Sequence, residues 1–275
     1  MKISVSKMQL LKRTPNSAYT IIAPEVLYHS NRIEGSTFTL PEVETLYASG
    51  KVVGDHDYDD IVETRNSLKV LDLMIETLGD PITADLLIEL EATLHAGTTT
   101  EERGESGRFK YIPNRIRNSS VQVALPSDIP TAIPELIETW EASGKGFEDI
   151  CRFHTRFEHL HPFQDGNGRI GRIVMLKQCI EQGVDLIVVS EDLADTYRAC
   201  MEIAQTTGDH RFFLDAMRKC QEAFDRRMEE VGATRLVEAT PEHAPARPPL
   251  DALEAECSPN PPLGASGDRR GGESR

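Results

Sequence analysis

HPFQDGNGRIGR, residues 161–172, places an imidazole, a carboxylate, a glycine-flanked amide and two guanidiniums within twelve consecutive positions. Beyond it Ile170, Ile173, Val174, Leu176, Cys179 and Ile180 recur at helical spacing, so a buried helix begins inside the stretch and Gly166 and Gly168 stand at its start. The first backbone N–H groups of a helix have no intrahelical partner, and glycine lets a ligand approach them closely, which makes the turn an anion site. Arg169 and Arg172 lie three positions apart, about 60° round the axis. In a first turn, where the helix dipole disfavours cations, two arginines require an anionic partner. One phosphate group held by the amides of Gly166, Asn167 and Gly168 and by both guanidiniums meets that requirement. His161 is the group able to take a proton from a hydroxyl near neutral pH, and Asp165 is a hard ligand suited to Mg2+ (or Mn2+) beside phosphate oxygens. Together they imply phosphoryl or nucleotidyl transfer.

Upstream, Ile150, Phe153, Phe157 and Leu160 form the apolar stripe of a helix over residues 147–160 that delivers the chain to His161. His154 and His159 on that helix are five positions apart, about 140° round the axis, so they do not chelate a metal as an i, i+4 pair would. His154 reads instead as a hydrogen-bonded core residue, as does His95 at the end of a helix over 83–95. Further helices are expected over residues 24–35, 41–49, 58–78, 129–143 (broken at Pro134), 190–207 and 210–231. Residues 108–112 and 121–125 are two short β-prone pieces around a polar turn, which reads as an isolated hairpin. The fold class is therefore mostly α with one small β-hairpin.

The chain has 275 residues, 39% of them hydrophobic, with 45 acidic against 30 basic side chains and a net charge of -15. An acidic chain of this kind does not attract nucleic acid non-specifically, so the arginine pair is a local pocket in an opposing field. No apolar run is long enough to span a bilayer. The beginning, MKISVSKMQLLKRTPNS, lacks the features of a signal peptide. Five dispersed cysteines without CxxC spacing read as reduced thiols, and a cytoplasmic protein is expected. Residues 1–23 are taken as an extension. Seven of the 16 prolines fall after Gly232, where large apolar groups are scarce, so residues 232–275 are expected to form a disordered tail.

The twelve residues 161–172, together with the preceding FHTRFEHLHPF (153–163), resemble the active-site motif of the Fic family, whose members transfer AMP from ATP to hydroxyl side chains of proteins. The resemblance implies a Fic-type helical domain over residues 24–231 in which His161 is the general base. It also implies that Asp165 holds Mg2+, that Gly166, Asn167 and Gly168 cradle phosphate, that Arg169 and Arg172 take the distal phosphates, and that Tyr197 lies near the nucleotide base. SNRIEG (30–35) resembles the inhibitory motif of relatives whose regulatory helix precedes the catalytic domain. Carried over, Ser30 takes the motif's hydroxyl position and Glu34 pairs with Arg172, blocking productive seating of ATP. Ser36 stands where many relatives have asparagine. In the family a hairpin flap, here 107–125, docks the target segment as an added strand; Lys110 stands where relatives commonly carry arginine. The implied partners are ATP and a target protein presenting a Tyr, Thr or Ser hydroxyl, with neither nucleic acid nor membrane, and a homodimer left open. Removal of AMP at the same site and a catalytically idle nucleotide- or peptide-binding module are the alternatives.

Overall fold

In the computed structural model, which describes residues 1–116 and 119–241, the chain order is α1 (Val5–Arg13), α2 (Tyr19–Ile33), α3 (Leu40–Ser49), α4 (Tyr58–Glu76), α5 (Ala84–His95) and α6 (Thr99–Glu102). There follow α7 (Ile129–Glu141), α8 (Phe147–Leu160), α9 (Asn167–Gln182), a 3-10 turn (Glu191–Leu193), α10 (Ala194–Thr207), α11 (Arg211–Glu230) and α12 (Ala233–Ala239). Helix α9 is the axis of the assembly, because 13 of its 16 residues are buried, Arg169, Arg172 and Lys177 among them. A helix buried on all sides needs neighbours all round, and α8, α4, α2, α5 and α1 supply them. Its apolar residues Ile170, Val174 and Cys179 are fully buried.

Local chemistry sets where the elements near the motif begin and end. Thr39 and Glu42 form a capping box at the start of α3, and Gly50 ends it with φ +70. Thr83 Oγ1 accepts from the Leu86 N–H at 3.0 Å and opens α5. At the other end of α5 the buried Asn66 of α4 donates to the Leu94 and Ala96 carbonyls at 3.0 and 2.7 Å, closing two helix-end acceptors. That seam fixes His95, the last residue of α5, beneath the motif.

Several expectations change. The first 23 residues do not stand apart, since Ile3, Met8, Leu11, Tyr19 and Ile22 are core residues and α2 begins at Tyr19 with Pro24 inside it. Helix α7 runs unbroken through Pro134, its apolar face of Ile129, Ile133, Leu136 and Trp140 held in the core. The hairpin is not formed: among the described residues there is no strand. The backbone donors of its two arms turn to the motif instead, the Lys110 N–H donating to the Pro162 carbonyl at 2.8 Å and the Ala124 N–H to the His159 carbonyl at 3.4 Å. Residues 233–239, expected in the tail, form α12, which packs on α11 and buries Ala233 and Val237. The rest of the expected tail, residues 242–275, lies outside the described residues, as do positions 117 and 118 of the segment expected to form the hairpin. No helix among the described residues is long and apolar enough to cross a membrane.

Asn66→Ala strands two carbonyls at the α4–α5 seam and should lower the free energy of unfolding by about 1–3 kcal/mol in urea titration. An unchanged midpoint would mean that packing alone holds the seam.

Candidate active site

Helix α8 ends where its stripe ends, and His161 follows it in the left-handed region, φ 49° and ψ 59°. A residue with a Cβ pays for that conformation, so the surroundings must hold it. The hold comes from the neighbouring carbonyls. Lys110 grips Leu160 through its ammonium at 3.1 Å and Pro162 through its backbone N–H at 2.8 Å. Asn114 Nδ2 donates to the Phe163 carbonyl at 2.8 Å. From the other side Asn167 Oδ1 accepts from the Phe163 N–H at 2.8 Å, and Asn167 Nδ2 donates to the Phe163 carbonyl at 2.9 Å. The side chain of Asn167 thus closes the loop on itself; what it offers an anion is its backbone N–H. Burial, then the nearby Lys110 charge, push the His161 imidazole down to about 4, so it is neutral and able to accept a proton at physiological pH.

The loop then enters α9 through Gly166, at φ +79°. A Cβ there would lie 2.8 Å from His95 Nε2, so glycine is required by the backbone and by the close approach of α5. No side chain caps α9, which leaves its first N–H groups for an incoming anion. Asp165 is exposed, with one oxygen accepting the Gly166 N–H at 2.6 Å.

Both guanidiniums at this helix start already have carboxylates. Arg172 Nη2 donates to Glu34 Oε1 at 2.6 Å and to the Ser30 carbonyl at 3.0 Å, and Arg172 Nε donates to Ser30 Oγ at 2.9 Å, so the last turn of α2 holds it three times. Burial pushes the Glu34 carboxyl up, but Arg172 and then Arg169 outweigh it and hold the group below the usual range. A Cβ on Gly168 would run into Glu34 Oε1, so the Glu34 carboxylate itself lies over the amide turn where an anion would sit. Arg169 is paired with Glu63 of α4 and lies 3.8 Å from Asp165 Oδ1.

Sequence reading passed over Glu63, Glu91 and Glu158, because a charged residue on a helix carries no local sign of its partner. Glu63 Oε1 lies 3.3 Å from His95 Nδ1, and Glu91 Oε1 lies 3.8 Å from His95 Nε2. Burial holds Glu91 up at about 7, and it raises Glu158, behind Arg172, to about 8. Tyr197 is 4% exposed, and its hydroxyl bonds His154 Nε2 at 2.7 Å and also interacts with the Arg172 guanidinium. Burial lowers His154 to about 3, fitting a core residue.

The donor set fits Mg2+ (or Mn2+). Asp165 is a hard, exposed oxygen ligand with room for waters. A cavity of about 210 Å³ reaches Arg169 and is lined by five carboxylates, Glu34, Asp57, Asp59, Asp60 and Glu63, among neutral residues. Glu63, His95 and Asp165 bring ligand atoms within 4.8 Å of one another, but the Arg169 guanidinium is paired with the Glu63 carboxylate of that set.

Glu63→Gln should free Arg169 and tighten binding of pyrophosphate roughly tenfold by isothermal titration calorimetry. Weaker binding would mean that Glu63 orients Arg169 for the anion rather than competing with it.

Residues 81–179 match the model of the Fic/DOC family. The chain is similar to the Protein adenylyltransferase Fic of Aedes aegypti, 24% identical over 223 residues, which covers 77% of this chain and 42% of that protein. It is also similar to the Protein adenylyltransferase Fic of Nematostella vectensis, 27% identical over 231 residues, covering 77% and 49%. The chain thus spans less than half the length of these relatives. Among solved structures, a Fic domain containing signaling protein from Bacteroides thetaiotaomicron VPI-5482 has a TM-score of 0.69 at 19% identity, over 86% of this chain and 96% of that one. Fic-1 (aa134 - 508) from C. elegans has a TM-score of 0.64 at 21% identity, over 82% and 67%. Residues 81–179, which contain His161, the glycine-flanked turn and both arginines, thus match the Fic/DOC family model, and the fold around them is the helical fold of Fic proteins.

Proposed function

We propose that the chain is a protein adenylyltransferase that transfers AMP from ATP to a Tyr, Thr or Ser hydroxyl of a target protein, and that Glu34 restrains it. The observation that supports this reading is the meeting of two features. A neutral imidazole, His161, stands at one end of a six-residue loop, and an uncapped helix start carrying two guanidiniums stands at the other. The names of the curated relatives point the same way.

In this reading His161 accepts the hydroxyl proton as the target oxygen bonds to the α-phosphorus. The bond from the α-phosphorus to the oxygen bridging to the β-phosphate breaks, and pyrophosphate leaves. Backbone N–H groups of Asn167 and Gly168 face the phosphate oxygens, and Arg169 and Arg172 take the distal phosphates. Asp165 would hold Mg2+, which neutralises charge on the phosphates when bound. Much of the rate comes from holding the groups in line.

The Glu34 carboxylate lies over Gly168 and binds Arg172, so it occupies both the seat and the guanidinium that the triphosphate needs. ATP must displace it or bind out of line. The backbone N–H groups of Lys110 and Ala124 tie their parts of the chain to the Pro162 and His159 carbonyls, on either side of His161.

With α-labelled ATP and Mg2+, Glu34→Gly should raise label transfer at least about tenfold over the wild type, the worth of one charge-assisted hydrogen bond. Adding His161→Ala should lower it again by about 10²–10⁴, the usual loss of a general base. Label that does not depend on His161, or none in either variant, would remove this reading.

A further inference from the structure

Lys110 is an unusual residue. It is 3% exposed, and the carboxylate that acts on its ammonium, Asp128, does so from beyond direct ion-pair contact. A buried lysine ordinarily requires a counter-charge. Its hydrogen-bond partners are instead a carbonyl and an amide, Leu160 O at 3.1 Å and Asn114 Oδ1 at 2.9 Å. Burial pushes the ammonium down to about 8, which still leaves it mostly charged at neutral pH. A cation kept in the interior at this cost calls for a use.

We infer that Lys110 is a positioning residue for His161, a step that rests on the proposed role of His161 as base. Its two donors close on the carbonyls either side of that residue: Nζ on Leu160, and the backbone N–H on Pro162. Through Asn114 it reaches one residue further, because Lys110 Nζ orients the Asn114 amide whose Nδ2 holds the Phe163 carbonyl. Leu160, Pro162 and Phe163 are thus held from one five-residue segment, and the residue between the first two is the one with positive φ. The loop cannot relax to an ordinary backbone conformation while those bonds stand.

The same placement acts on charge. After burial, which comes first, the groups acting on the His161 imidazole are Lys110, which disfavours its protonation, and the Glu158 backbone carbonyl, Glu34 and Asp165, which favour it. Without Lys110, burial remains but the balance of charges turns toward the protonated ring. The lysine therefore does two things at once: it fixes the backbone that carries the ring, and it lowers the ring's affinity for a proton. Leu160 is also the last residue of α8, where a cation satisfies helix-end carbonyls, so a purely structural cap is the competing account. The two accounts differ in what His161 does, and that is measurable.

The test uses the full chain, with transfer measured in the Glu34→Gly background. NMR titration of the labelled imidazoles should show the His161 midpoint moving up by about one pH unit in Lys110→Met, with Lys110→Arg restoring it. In label transfer Lys110→Met should lower kcat by roughly 10–100-fold with KM for ATP unchanged, since Lys110 touches no group assigned to phosphate, and Lys110→Arg should recover most of the rate. Asn114→Ala keeps the charge and loosens the loop, so it should lower kcat while leaving the His161 midpoint in place. If Lys110→Met melts early, Lys110→Gln keeps a donor for Leu160 without the charge and should show the same upward shift. A folded Lys110 variant with unchanged His161 midpoint and unchanged kcat overturns the inference and leaves a helix cap. Absence of label in every variant removes the reading of His161 as base, while the titration still decides whether Lys110 controls that ring.

Discussion

Two guanidiniums at the start of a buried helix are the constraint around which the structure closes. Arg169 and Arg172 stand where the dipole of α9 already places positive charge, and both are 7% exposed. Neither is tolerable there without an anion. In the resting chain α2 supplies Glu34 for Arg172 and α4 supplies Glu63 for Arg169. Three helices distant in sequence are thereby tied at one point. The groups that would receive phosphate are the same groups that hold α2 and α4 against α9, so ligand binding and this part of the packing compete for the same bonds.

The second constraint is the conformation of His161. His161, a non-glycine residue at φ 49°, donates its own N–H to the Phe157 carbonyl at 2.9 Å and is held further by bonds to its neighbours. Lys110 and Asn114 hold from one side and Asn167 from the other, with Phe163 buried between them as the anchor. This accounts for the fate of the expected hairpin. Its arms could pair with each other or with the chain around His161, and the carbonyls of His159 in the last turn of α8 and of Pro162 in the loop take the donors of Ala124 and Lys110.

Much of this was legible beforehand, and for a physical reason. Helical periodicity, the Thr83 cap, the Gly50 stop and the run of glycines before Ile170 are signals carried within a few residues, so α3, α5, α8 and the start of α9 could be read directly. The pairing of Glu34 with Arg172 was implied by the resemblance of SNRIEG (30–35) to an inhibitory motif. Pro134 misled because propensity is local, whereas the burial of Ile133 and Trp140 that keeps α7 whole is not.

The sequence alone thus determined α3, α5, α8 and the glycine-flanked start of α9, and it singled out His161, Arg169 and Arg172 as the candidate base and phosphate ligands, since each is written in contiguous residues. Only the tertiary structure decided which carboxylate faces Arg169, that Lys110 holds the carbonyls flanking His161, that Asn167 turns inward to clasp the loop, and that the Tyr197 hydroxyl bonds His154. Those are contacts between residues from 4 to 106 positions apart. A side chain's type states what it can bond to; which partner it meets is set by how α2, α4, α5 and α8 pack around α9.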